Sequence, residues 1–203
     1  MTGSLDRRAL LAAGLALAAG PVLAQGDGLV RIAMKTGKGL ITLDLNMGKA
    51  PITAGNFLRY VDQRRLDHCD FYRASRIPGA PQFGIIEGGL SGDPARVLRP
   101  IAHESTLKTG LSHKDGTISM ARRAPGTATA DFFICIGDQP GFDADPKASG
   151  DNVGFAAFGQ VVNGMDVVRA ILASPTSPTA GIGPMKGQML RPKIPILTVR
   201  RVA

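Results

Sequence analysis

The side chains of this sequence that could perform metal or covalent chemistry are few, and their spacing argues against each such use. His68, His103 and His113 fall into no metal-ligand spacing with one another or with a cysteine, so no metal is expected. Gly88-Gly89 and Gly181-Ile182-Gly183 fail the phosphate-loop and dinucleotide patterns, because neither joins a strand to a helix within a βαβ unit. They read as turns, and no cofactor is implied. Ser91 lies in no nucleophile-elbow pattern, and Cys135 has no neighbouring base to activate it. Cys135 sits in the apolar run Phe132 to Ile136, where a small buried residue is the expected role. An oxidising compartment would permit a bridge from Cys135 to Cys69, the other thiol, but spacing does not decide pairing. What remains is chemistry done by binding rather than by a bond-forming group.

The elements that would position such a site are short. Val30 to Met34 and Ile41 to Leu45 are of strand type, joined by Thr36-Gly37-Lys38-Gly39 as a hairpin. Phe57, Tyr60 and Val61 then recur at helical spacing, and Pro51 stands where a first turn tolerates it, so a helix is predicted from about Thr53 to Arg65. Further strands are expected at Phe71 to Ala74, Ile85 to Glu87, Thr117 to Ala121, Phe132 to Ile136 and Phe155 to Val161. Met165, Val168, Ile171 and Leu172 mark a second helix ended by Pro175. Ser174 to Pro192 reads as a loop, and Ile194 to Val202 as a last strand that Pro195 would confine to an edge or to its start. With no βαβ alternation, this order argues for a mainly β fold, an antiparallel barrel capped by helices.

Of the 203 residues, 44% are hydrophobic and 20% charged, which suits one globular domain. Asp6-Arg7-Arg8 precedes an uncharged run from Ala9 to Gly26 with the small-residue site Val22-Leu23-Ala24, so residues 1–24 read as an export signal and 25–203 as the domain. A twin-arginine signal and a general secretory signal both begin this way. An uncleaved anchor is the competing reading, but the run is dominated by Ala and Gly and holds Pro21. Removing the segment leaves 22 basic and 15 acidic side chains, net +7, scattered in short pairs such as Arg122-Arg123. No block of charge marks a nucleic-acid partner.

The ordered series Phe71-Tyr72-Arg73, Glu87-Gly88-Gly89, Gly116 to Ala121, Phe132-Phe133-Ile134-Cys135 and Phe155 to Val161 resembles the cyclophilin family of peptidyl-prolyl cis–trans isomerases, and its bacterial members most. The resemblance runs from about Gly39 to Leu172 and includes Asn56-Phe57 and Gly164-Met165-Asp166-Val167-Val168 in the two helices. It implies a closed eight-stranded antiparallel β-barrel capped by two α-helices. It also implies an activity that requires no nucleophile: rotation about an Xaa-Pro bond, whose barrier of roughly 20 kcal/mol comes from C–N double-bond character. The twisted imide nitrogen gains a localised lone pair, so a fixed cation aimed at it favours the transition state. Arg73 matches the family's catalytic arginine, Phe133 its pocket phenylalanine, and Ala121 a small residue lining the groove. Ile85 falls where methionine is usual and Phe142 where leucine is usual. Phe132 and Phe133 alternate on one strand, so one of the two belongs to the core.

Departures from the family pattern bear on the same groove. Glu87 and Asp131 replace glutamines and can still accept hydrogen bonds, Arg122 replaces asparagine and can only donate, and Phe155 and Gly141 replace a histidine and a tryptophan. The resemblance implies proline-containing polypeptides as substrates; the export signal adds unfolded exported proteins as clients and the periplasm as the setting, with no span after signal cleavage, and a monomer is expected. The alternative is a proline-recognising chaperone or binding module that kept the groove and lost turnover.

Overall fold

Alternation along the first hairpin sets the inside of the molecule. The computed structural model describes residues 28–202, and the expected export signal lies outside them. In β1 (Leu29–Thr36) and β2 (Gly39–Asn46), Ile32, Met34, Ile41, Leu43 and Leu45 share one face and are fully buried. The other strands are β3 (Cys69–Ile77), β4 (Ala80–Gly89), β5 (Thr117–Met120), β6 (Phe132–Ile136), β7 (Ala156–Asn163), the two-residue β8 (Thr176–Ser177) and β9 (Met189–Arg201). They hydrogen-bond in the order β1-β2-β7-β5-β6-β4-β3-β9, all antiparallel. β9 pairs back with β1, which closes an eight-stranded barrel and leaves β8 as an appendage of β9. Closure removes the exposed edges that an open sheet would present.

Both predicted helices are present, with shifted ends. α1 (Pro51–Asp62) starts on its proline and buries Ala54, Phe57, Tyr60 and Val61, with the Phe57 ring 5.3 Å from Phe132 and 5.4 Å from Phe158. α3 (Met165–Leu172) buries Val168, Ile171 and Leu172. Between them is a one-turn helix, α2 (Thr106–Thr109), capped by the Ser105 side chain and ended by Gly110 in the left-handed conformation. A single turn is too short to show a period, so the sequence gives no sign of it.

Three readings of the chain are corrected. β3 runs past the expected Ala74 to Ile77 and β4 begins at Ala80 rather than Ile85, so Pro78-Gly79 is a two-residue turn between them. The segment from Ser174 to Pro192 holds β8 and a 3₁₀ turn at Gly183–Met185, and β9 begins at Met189 rather than Ile194. β9 is no edge strand: it lies between β3 and β1. Pro195 is tolerated there because its polar side faces the β1–β2 turn, where its carbonyl accepts from Gly37 N at 2.8 Å and no ladder donor is needed.

Candidate active site

The site grows on the outer wall of the barrel from two local devices. The first is strict alternation on β6: Phe132, Ile134 and Ile136 point into the main core, whereas Phe133 and Cys135 point outward into a second apolar cluster with Ile85, Ala121, Phe142 and Phe155. Phe132 is therefore the core residue of the pair, and Phe133 the outward one. The second is a bulge in β3. Phe71 faces the core, and regular pleating would send Arg73 the same way. The register of β3 slips between Phe71 and Arg73 against both β4 and β9, so Tyr72 is the extra residue, Ala74 returns to the core and Arg73 is turned outward.

These devices bring together Arg73, Ile85, Glu87, Ala121, Arg122, Phe133, Phe142 and Phe155 around a cavity of about 210 Å³, with Met185 as a further wall. Asp131 lies instead in an adjoining cavity of about 390 Å³, which shares Glu87, Ala121, Arg122 and Met185 with the first. Three rings frame the apolar part. Phe133 meets Phe142 at 5.3 Å and Phe155 at 5.4 Å, and Phe142 meets Phe155 at 5.4 Å, all near edge-to-face.

At the lip, Arg73 is only 16% exposed, which is less than a groove-edge position suggests. Its Nη1 donates to Glu87 Oε2 at 2.7 Å and its Nε to Gln188 Oε1 at 2.8 Å. Among the described residues, Nη2 has no hydrogen-bond partner. Tyr72 donates its hydroxyl to the other Glu87 oxygen at 3.0 Å, and burial, reinforced by the Glu87 charge, raises its pKa and keeps it a phenol. Asp131 accepts from the Ser91 N–H at 2.8 Å, and burial, with the Glu87 charge adding, raises its carboxyl above the ordinary value.

Arg122, which lines both cavities, is held in place by contacts within the protein. Its side chain is 1% exposed, pairs with Asp151 at 2.6 and 3.0 Å, donates to the Gly154 carbonyl, and lies 4.9 Å from the Phe155 ring centre. Only its buried Nε lacks a partner. Both cysteines are buried and unpaired, and burial pushes the Cys69 thiol up to about 12 and that of Cys135 up as well, so neither is a nucleophile near neutrality. Met185 and Gln188 escaped the sequence reading because they belong to the Pro- and Gly-rich segment, which carries no periodicity.

Comparison with known proteins places this geometry. The family model for cyclophilin type peptidyl-prolyl cis-trans isomerase/CLD matches residues 30–200. The chain belongs to the cyclophilin family. It is 36% identical over 147 residues to a peptidyl-prolyl cis-trans isomerase of Acinetobacter baylyi, covering 72% of this chain and 73% of that one. It is 35% identical over 153 residues to the peptidyl-prolyl cis-trans isomerase cyp18 of Streptomyces antibioticus, covering 74% and 87%. In fold, the cyclophilin resembles the crystal structure of a Cryptosporidium parvum cyclophilin type isomerase in the presence of the dipeptide Ala-Pro, with a TM-score of 0.67 at 19% identity over 85% of this chain and 99% of that one. The closed barrel and its helices are thus those of the family, and the activity is peptidyl-prolyl cis–trans isomerisation.

Proposed function

We propose that this cyclophilin isomerises Xaa-Pro bonds at the Arg73 groove and that its clients are proteins exported with it. The observation that carries the reading is the placement of one oriented cation at the rim of a three-ring apolar pocket. The proline ring seats against Phe133, Phe142, Phe155 and Ile85, which holds one side of the imide while the preceding carbonyl turns. Arg73 then donates to the imide nitrogen as its lone pair localises, an interaction absent from the planar ground states. Glu87 and Gln188 hold the guanidinium against rotation, so no reorganisation is needed when the bond twists. Export rests on residues 1–24, with cleavage before Gln25 in a bacterial periplasm. The mass of the protein recovered from that compartment checks the cleavage site.

The binding-module reading draws on one feature, the carboxylate of Glu87 beside Arg73, which partly neutralises the cation. Exchange NMR on an Ala-Pro peptide separates the two. The isomerase speeds cis–trans exchange at catalytic amounts of protein, whereas a binding module broadens the peptide signals in proportion to occupancy and leaves the exchange rate of the free peptide unchanged.

A further inference from the structure

Behind the pocket lies a histidine that the groove chemistry does not use. His113 sits in the loop between α2 and β5 with a fully buried side chain. Its Nδ1 is 2.6 Å from Asp143 Oδ1 and its Nε2 is 2.9 Å from Ser119 Oγ. Because a carboxylate only accepts, Nδ1 carries the proton, and Nε2 accepts from the Ser119 hydroxyl. Burial holds the imidazole below its ordinary value, against the opposing pull of Asp143, so the neutral form persists. The same order of hydrogen bonds activates a serine in acyl transfer. Here Ser119 Oγ is sealed from solvent, opposite Phe133 on β6 and Ala157 on β7, so no substrate reaches it.

The network is a strut instead. The imidazole stacks on Phe133 at 5.8 Å and 14° and meets Phe142 edge-on at 5.8 Å. The backbone of His113 is tied to the turn that carries Phe142: its N–H donates to Asp143 at 3.0 Å, and its carbonyl accepts from Gln139 N at 2.7 Å. We propose that His113 is a positioning residue for the proline pocket, its neutral imidazole locked between Asp143 and Ser119 so that the Phe133 and Phe142 rings keep their mutual angle. The inference rests on the isomerase reading of the groove. It acts on binding of the proline ring and not on the Arg73 donor.

The test compares peptide Kd by NMR titration with kcat and KM by exchange spectroscopy. His113→Ala raises Kd and KM about tenfold, equivalent to about 1.4 kcal/mol, and leaves kcat within about twofold. His113→Asn, which keeps an amide donor toward Asp143 but no ring against Phe133 and Phe142, recovers only part of the loss. An unchanged Kd in folded His113→Ala overturns the proposal, as does a loss of kcat at unchanged KM. Imidazole ¹⁵N shifts of the unaltered protein supply a check that needs no variant: a neutral ring protonated at Nδ1 is expected at pH 7, and a charged ring or the other tautomer overturns the lock. Absence of turnover in the unaltered protein would sink the isomerase reading alone, because the Kd comparison still decides the strut.

Discussion

Arg73 is held by two acceptors of different charge, and the difference matters to its chemistry. Gln188 orients Nε without altering the cation, whereas Glu87 orients Nη1 and also draws off part of the positive potential that the twisted imide would feel. Replacing the carboxylate by an amide keeps an acceptor and removes the charge. Glu87→Gln is therefore expected to raise kcat/KM about threefold, the equivalent of roughly 0.7 kcal/mol in the barrier, and exchange NMR measures it. A fall in kcat/KM would show that the carboxylate's grip on Arg73 outweighs its neutralising effect. Glu87 as an acceptor in the Arg73 groove was legible from the resemblance alone. Gln188 was not, since it stands 115 residues from Arg73 in a segment without pattern.

At the scale of elements, one strand separates stability from binding. Phe132 is fully buried and touches the rings of Phe57 and Phe71, so Phe132→Ala should cost about 3–5 kcal/mol of folding stability, as large-to-small changes in a packed core do. Phe133→Ala empties the pocket floor rather than the core. It should cost less stability than Phe132→Ala but weaken Ala-Pro peptide binding by about tenfold or more. Denaturant unfolding and peptide titration on both variants check this, and equal stability losses would contradict the assignment of faces. The strand itself could be read from its apolar run, but which ring faces in only from the resemblance, because an apolar run gives no phase. The bulge at Tyr72 was hidden for the same reason: nothing in Phe71-Tyr72-Arg73 marks an extra residue, yet it alone turns Arg73 toward the groove.

The whole molecule depends on closing the ring between β9 and its neighbours, and ion pairs secure that closure. Arg200 pairs with Asp67 in a bidentate contact at 2.7 Å, and Arg201 with Asp62 at 2.7 Å, tying the end of β9 to α1 and to the turn that follows it. The Arg200 guanidinium lowers the pKa of Asp67, so the folded carboxyl lies below the unfolded one. The stability this pair contributes is present above the ordinary carboxylate value near 3.9 and is lost as pH falls through it toward the lowered value. Arg200 is 39% exposed, so solvent and salt weaken the pair. Asp67→Asn should lower Tm at pH 7 by at most about 4 °C and flatten the acid limb of the Tm profile. An unaltered acid limb would remove Asp67 from this role. Eight strands and two helices were legible from alternation and helical spacing. Closure of the barrel was legible from the resemblance alone, and the true path of the segment before β9 was not legible at all, because both depend on pairing between residues far apart in the chain.

The central claim is that one oriented cation lowers the barrier to Xaa-Pro rotation, and Arg73→Ala tests it most directly. The measurement is kcat/KM on an Ala-Pro peptide by exchange NMR, with circular dichroism and peptide titration on the same samples. The account predicts a folded variant that still binds peptide but has lost about 10²–10³ in kcat/KM, the range for one electrostatic donor. A folded Arg73→Ala protein with unaltered kcat/KM would contradict it.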